Sequence, residues 1–190
     1  MEVLFAPDWR RGVPYQRLLA EALQAREVHV TFLQGYKRLL PLTRLLYPFA
    51  GRLLHLHWPE AYYPRLHDSW DLFRRARFVP DLILSSRRNP FVLTAHNLCE
   101  HNLQGLPFAR ANYAAACARA RLIFAHSPIA GARLVEAYAV DERKIRVVPH
   151  GDLSVAMPPP AQGPQATLKA GNPCPRRCSA SPSRYAFAAA

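Results

Sequence analysis

Four apolar runs in this sequence end in a histidine, and this pattern constrains the fold more than any other feature. The runs are residues 53–57, 91–96, 122–126 and 145–150, which end at His57, His96, His126 and His150. Apolar runs of this length are typical of strands buried on both faces of a parallel sheet. Ligands of open α/β sheets bind outside the carboxyl ends of the strands. The sequence therefore predicts a histidine-rich site at one edge of a sheet.

Strand and helix signals alternate through the first 150 residues. Strands are predicted at residues 3–6, 28–32, 53–57, 91–96, 122–126 and 145–148. One helix is predicted from Pro14, with an apolar face of Leu18, Leu19, Ala22 and Leu23. Others are predicted over 64–79, with Leu66, Trp70, Phe73 and Ala76 or Arg77 on one side, over 108–120, and from Pro128 to about Tyr138. Repeated βα units indicate an α/β, Rossmann-like, doubly wound parallel sheet.

The charge balance bears on partners and location. The 190 residues carry a formal net charge of +12, and a basic protein attracts nucleic acid, anionic lipid or phosphorylated ligands. A coding bias toward arginine explains the same balance. We expect no nucleic-acid partner, because the arginines are dispersed and no basic helix or aromatic-basic sheet is recognisable. No membrane span or signal peptide is recognisable either, which predicts a cytoplasmic protein.

Cysteine spacing gives little support for a metal centre. Cys174 and Cys178 form one close pair, and neither a second pair nor a nearby histidine completes a zinc site there. No carboxylates are clustered with the spacing of cation ligands. We expect no metal.

The composition changes after Gly151. Residues 157–190 are rich in proline and poor in large apolar residues. Such a segment buries too little apolar surface to offset the entropy of ordering it. The sequence therefore predicts one domain over residues 1–156 and a disordered tail over 157–190.

Six segments together resemble the acceptor-side, N-terminal half of a GT-B glycosyltransferase of the retaining family 4 class. The segments are Val3–Trp9, Pro14–Leu19, His55–Pro59, Thr94–His101, Ala125–Ser127 and Arg146–Gly151, and the resemblance covers about residues 1–157. It implies transfer of a sugar from a nucleotide-sugar, which is a substrate rather than a cofactor, to a saccharide or lipid-linked acceptor in polysaccharide biosynthesis. It also implies a second, C-terminal donor domain. The tail does not resemble the family, so we expect a truncated or frame-shifted chain that is inactive alone.

The resemblance also assigns roles to individual residues. His96 is the candidate catalytic residue that touches the reacting sugar. The candidate substrate-binding residues are Asp8, Arg11, Gly12, Tyr15, His57, Asn97, His126 and His150. The loop from Asp8 to Tyr15 would face the donor diphosphate, where a helix start favours negative charge. Only one residue of the His55/His57 pair is expected at a site, and Trp9 and Trp58 are expected to pack rather than to stack on a sugar.

Other interpretations of the same residues stay open. Each histidine could instead cap a strand or fill a core position, and Asp8 could be a turn residue. The chain could be a stand-alone α/β module that binds a sugar or a phosphorylated ligand. Its basic surface could bring the intact enzyme to the inner face of an anionic membrane, where lipid-linked acceptors reside.

Overall fold

The computed structural model describes residues 1–12, 14–35, 39–63, 69–97 and 107–153. These residues form six strands: β1 (Glu2–Ala6), β2 (His29–Phe32), β3 (Leu53–Leu56), β4 (Phe91–Ala95), β5 (Ile123–Ala125) and β6 (Ile145–Val147). Five α-helices connect them: α1 (Pro14–Gln24), α2 (Pro41–Leu46), α3 (Ser69–Arg88), α4 (Pro107–Arg119) and α5 (Pro128–Tyr138). All six predicted strands are therefore confirmed.

The strands form one parallel sheet in the order β2-β1-β3-β4-β5-β6. Strand β2 lies on one side of β1, and the remaining strands, β3 to β6, lie on the other side. Ligands of such sheets bind outside the carboxyl ends of the strands, near the point where this order reverses. The Rossmann-like α/β fold is confirmed.

One face of the sheet is an aliphatic core. Leu54, Leu56, Leu93 and Ile123 project from it and are at most 1% exposed. They pack with residues of α2, α3, α4 and α5, including Leu42, Phe78, Ala116 and Leu134. Burial of this aliphatic surface is the main stabilising contribution available to the domain.

The opposite face carries aromatic and polar side chains. Phe5, His55, Val92 and Thr94 alternate with the aliphatic residues along their strands, so they project to the other side. Helix α1 lies on this side, because its Tyr15 contacts the histidines that follow β3, β4 and β5. Helices thus lie on both faces, as a doubly wound sheet requires.

Helices α4 and α5 match their predicted ranges closely. Ser127 caps α5 by accepting a hydrogen bond from the Ala130 amide at 3.1 Å, and Pro128 follows at the first helical position. Helix α3 differs from the prediction, because it continues through Pro80 to Arg88. Burial of Phe78 and Leu82 on either side of the proline holds this continuation.

The predicted buried faces of two helices need correction. In α1, Gln16 and Ala20 are buried, whereas Ala22 is exposed and the three leucines are half-buried. In α3, Phe73 and Ala76 are exposed, whereas Arg77, one of the two predicted alternatives, is buried together with Asp81. Leu66 and the side chain of Trp70 lie outside what the structure describes. Asp81 accepts hydrogen bonds from the amides of Leu42 and Thr43, which fixes the start of α2.

All described residues belong to a compact unit that spans Met1–Met157. The disordered tail predicted for 157–190 lies outside the described residues, and the boundary at residue 156 stays a prediction. Among the helices that the structure describes, none has both the length and the apolar character needed to cross a bilayer.

Candidate functional site

Four histidines converge at the carboxyl ends of β3 to β6. His57, His96 and His126 each follow the last residue of a strand, and His150 follows β6 by three residues. Adjacent rings lie close, with centroids 5.7 Å apart for His57 and His96, 5.1 Å for His96 and His126, and 4.5 Å for His126 and His150. Parallel strands bring their carboxyl ends to one edge, so residues far apart in sequence meet there. We call these four residues the histidine cluster.

Tyr15 connects α1 to the histidine cluster. Its ring contacts all four histidines, with centroid distances between 4.8 Å for His96 and 5.9 Å for His57. Burial raises the pKa of the Tyr15 hydroxyl, and a hydrogen bond with Thr94 opposes that shift. The tyrosine is therefore a neutral phenol that forms one wall of the cluster.

A directional chain of hydrogen bonds links three of the histidines. His126 Nδ1 lies 3.1 Å from the carbonyl oxygen of Val148, and a carbonyl can only accept, so Nδ1 carries the hydrogen. In the neutral ring Nε2 then accepts from His96 Nδ1 at 3.3 Å. His96 Nε2 in turn accepts from His57 Nδ1 at 3.4 Å. This leaves His57 Nε2 as a buried acceptor with no hydrogen-bond partner among the described residues.

Burial keeps the two inner rings of the histidine cluster, His57 and His96, uncharged. It lowers the pKa of His96 to about 3 and that of His57 well below 6.5, and neighbouring histidines contribute to both shifts. Burial also lowers the pKa of His126, against an opposing contribution from the Val148 carbonyl. Neutral imidazoles offer one donor and one acceptor each. The cluster is thus suited to neutral hydroxyl groups rather than to anions.

His55 lies behind the cluster on the same side of the sheet. Residues 55 and 57 are two positions apart, so their side chains share a face, and the two rings stack at 4.1 Å. His55 Nε2 lies 2.7 Å from the Thr94 hydroxyl, and burial lowers the pKa of His55 to about 3. Both rings therefore lie on the same face of the sheet, with His57 in the cluster and His55 behind it, and the expectation that only one of the pair lies at a site stays a prediction.

The two tryptophans pack against neighbouring rings. Trp58 is 8% exposed and stacks on His96 at 4.3 Å, with 12° between the ring planes. Trp9 stacks on the other tryptophan at 5.0 Å. This stack connects the loop after β1 to the histidine cluster.

A second polar region lies at the ends of β1 and β2. A cavity of about 700 Å³ is lined by Asp8, Arg10, Arg11, Arg17, Gln34 and Gly35; we call it the arginine cavity. Asp8 is bound on two sides, by the Arg10 Nε at 2.8 Å and by the Gln34 amide at 3.0 Å. The hydrogen bond from Arg10 lowers the pKa of Asp8, with burial opposing it. Arg17 pairs with Glu21 at 3.0 Å.

The sequence and the fold together identify the family. Residues 13–152 match the model of Glycosyltransferase Family 4. The chain belongs to this family. The parallel sheet and this match fit the N-terminal domain of a GT-B glycosyltransferase, and they support a glycosyltransferase-type function with sugar-type substrates. A comparison of the sequence with curated proteins finds no match.

Within this family 4 domain, two predicted site residues lie outside both polar regions. The Gly12 amide donates to the Trp9 carbonyl in a tight turn, and a side chain at Gly12 would meet no atom within 4 Å. Asn97 is exposed, and its backbone carbonyl accepts a hydrogen bond from the Tyr113 hydroxyl at 2.9 Å. The other seven fall into two groups, with Asp8 and Arg11 at the arginine cavity and the remaining five at the histidine cluster.

Gln16 is a positioning residue that sequence reasoning missed. It is fully buried, donates to the Pro7 carbonyl at 2.8 Å and accepts from the Trp9 amide at 2.9 Å. It thereby fixes the loop between β1 and α1, which carries residues of the arginine cavity. A glutamine in the first turn of an amphipathic helix gives no signal of this role, because such positions are usually solvent-exposed.

Proposed function

We propose that this domain forms the acceptor-side half of a sugar-transfer site, in which the histidine cluster holds sugar hydroxyls. The convergence of four histidines and Tyr15 at the strand ends carries this proposal. The rings lie in an aromatic setting, and in this proposal a sugar hydroxyl takes the place of one of the ring-to-ring hydrogen bonds of His96. Such rings hydrogen-bond hydroxyls and stack on the apolar faces of sugar rings.

His96 is the proposed catalytic residue, since it lies at the centre of the cluster. It contacts His57 on one side and His126 on the other, and Trp58 stacks on its face. These contacts fix the plane of the imidazole. Fixed donors and acceptors that orient a reacting sugar supply much of the rate of a two-substrate transfer.

The arginine cavity is the proposed region for the diphosphate of a nucleotide-sugar, which is consumed as a substrate. Arg11 supplies positive charge there, and Asp8 holds Arg10 in place through its ion pair. Guanidinium groups bind phosphate oxygens through charge-assisted hydrogen bonds. The stacked Trp9 and Trp58 join this loop to the histidine cluster, so one elongated substrate can contact both regions.

The acceptor in this proposal is a saccharide or a lipid-linked saccharide. A cytoplasmic enzyme would meet a lipid-linked acceptor at the inner face of the membrane, where the net charge of +12 favours anionic lipid. The described residues provide one wall of a cleft, and a second Rossmann-like domain would provide the other. One wall does not exclude water from the reacting carbon. We therefore expect no sugar transfer by the 190-residue chain alone.

Ligand titrations followed by NMR test the proposal. UDP-glucose and GDP-mannose are the probes, and UDP and GDP are the references without a sugar. We expect at least one nucleotide-sugar to bind, with His96→Ala weakening its affinity by about tenfold, the loss of one or two hydrogen bonds. The same substitution should leave binding of the matching nucleotide unchanged.

His29→Ala is the matched control, because His29 is exposed at the start of β2, away from the histidine cluster. Equal effects of the two substitutions would contradict the proposal, as would transfer to an added acceptor by the chain alone. A stand-alone binding module is the second candidate, favoured by the arginine cavity. In that case glucose 1-phosphate would bind as tightly as the nucleotide-sugar.

A further inference from the structure

Three members of the histidine cluster also have the geometry of a metal-binding group. His96, His126 and His150 each offer a ring nitrogen, and these three atoms lie within 4.8 Å of one another. His96 Nδ1 lies 3.3 Å from His126 Nε2. Nitrogens bound tetrahedrally to zinc at 2.0–2.1 Å are about 3.3 Å apart. This pair is already at the required separation.

The other nitrogens of these rings face two backbone carbonyl oxygens and one ring nitrogen. His126 Nδ1 faces the Val148 carbonyl at 3.1 Å, and His150 Nδ1 faces the Gly151 carbonyl at 3.4 Å. His96 Nε2 faces His57 Nδ1 at 3.4 Å. Metal-bound histidines donate their second N–H to such groups, which fixes the ring and the tautomer. The outer partners of a three-histidine site are therefore in place.

We propose that His96, His126 and His150 bind one divalent transition-metal ion of the zinc class. Imidazole ligands suit Zn²⁺, Co²⁺, Ni²⁺ and Cu²⁺, whereas Mg²⁺ and Ca²⁺ prefer oxygen ligands. Three protein ligands leave one tetrahedral position for an oxygen of water or of a substrate. That arrangement is found in catalytic zinc sites, whereas structural sites have four protein ligands.

The sheet fixes the relative positions of two of the three proposed metal ligands. Two ligands directly follow the adjacent strands β4 and β5, so the sheet fixes their spacing. His150 lies beyond β6 and is exposed, and its ligand nitrogen lies within 4.8 Å of the other two. Metal binding reverses the tautomers of His96 and His57, because His96 Nδ1 then binds the ion and Nε2–H donates to His57.

This inference goes beyond the proposed sugar transfer and does not rest on it. Metal binding is measured on the chain alone, without nucleotide, sugar or acceptor. Either proposal can fail while the other holds. The metal-site proposal departs from the sequence-based expectation that no metal is bound. That expectation rested on spacing along the chain, which does not reveal ligands that come from three separate strand ends.

Cobalt titration tests the site. The background is the full chain with Cys174→Ser and Cys178→Ser, so that the thiols of that pair cannot bind the metal. We expect one equivalent of Co²⁺ to give the visible absorption bands of a tetrahedral ion, and one equivalent of Zn²⁺ to abolish them. His126→Ala and His150→Ala should each weaken binding by at least about tenfold, because loss of even an outer-shell partner typically costs that much.

Controls keep the result interpretable. His29→Ala should bind Co²⁺ as the background does, since His29 lies outside the cluster. His150 is exposed, so its substitution should leave the fold intact, which circular dichroism checks. The proposal is overturned if no bands appear at millimolar Co²⁺, or if the triple variant His96→Ala/His126→Ala/His150→Ala retains them.

Discussion

The histidine cluster and the arginine cavity lie at the same edge of the sheet but differ in how they are built. The cluster follows the ends of β3 to β6, and its central rings are held by hydrogen bonds to other rings and to the backbone. The cavity is made by a loop and by α1, and its arginines are largely exposed. Burial keeps His57 and His96 in the first region neutral, whereas the arginines of the second region keep their charge.

This difference teaches how one sheet edge can offer two kinds of recognition. A buried imidazole loses its proton, because the charged form is poorly solvated. A guanidinium keeps its charge at any physiological pH. Sugar hydroxyls therefore suit the histidine cluster and phosphates suit the arginine cavity. Each experiment below tests one side of this contrast.

Acidification should produce the largest effect, a loss of folding stability that arises from His55 behind the cluster. The pKa of this buried ring is about 3 in the folded protein and 6.5 as a model value. The unfolded chain therefore binds a proton between these values that the folded protein rejects. Stability contributed by the neutral ring is complete above pH 6.5 and falls as the pH drops toward 3. Between pH 7 and 4.5 we expect a loss on the order of 2–3 kcal/mol from this residue.

Urea denaturation at pH 7 and at pH 4.5 measures this loss. His55→Leu should reduce the difference in unfolding free energy between the two pH values, because leucine does not titrate. His29→Leu is the matched control at an exposed histidine and should retain the full difference. A pH difference unaffected by His55→Leu would show that burial does not keep this ring neutral.

Removal of one arginine should have the next largest effect, on anion binding. We expect Arg11→Ala to weaken binding of inorganic pyrophosphate by about tenfold, since a hydrogen bond to a charged group contributes about 1.5–3 kcal/mol. Binding should also weaken with added salt, because exposed charges are screened. Isothermal titration calorimetry at 50 and 300 mM salt gives both quantities.

Arg133→Ala is the matched control, because Arg133 is exposed on α5 and does not line the arginine cavity. It should leave pyrophosphate affinity unchanged. A larger loss from His126→Ala than from Arg11→Ala would contradict the contrast, because it would place the anion at the histidine cluster.

The sequence predicts the sheet and the histidine cluster well, for a physical reason. Apolar runs report burial on both faces, and parallel strands bring their ends to one edge, so His57, His96 and His126 are predicted to meet. The prediction fails where side-chain contacts decide the outcome. Helix α3 continues through Pro80 because Phe78 and Leu82 are buried around it, and no local pattern contains that information.

The polar network shows a second limit. Gln16 tethers the loop after β1, and the Val148 carbonyl orients His126. Both contacts join residues whose approach depends on the complete fold. The proposed metal ligands His96, His126 and His150 also come together only in the complete fold, because they are separated by 30 and 24 positions in the sequence. Motif spacing detects ligands only when they are close along the chain.

The smallest effect should come from freeing an arginine at the edge of the arginine cavity. Arg17 is paired with Glu21 one helical turn away, and both side chains are about half exposed. Glu21→Gln removes this competitor, so Arg17 becomes available to an anion. We expect pyrophosphate affinity to rise about twofold while the unfolding free energy changes by less than about 0.5 kcal/mol. Glu136→Gln, an exposed site on α5, controls for the change in net charge. If both substitutions raise affinity equally, the long-range field of this basic protein is responsible, and local pairing in the cavity is not.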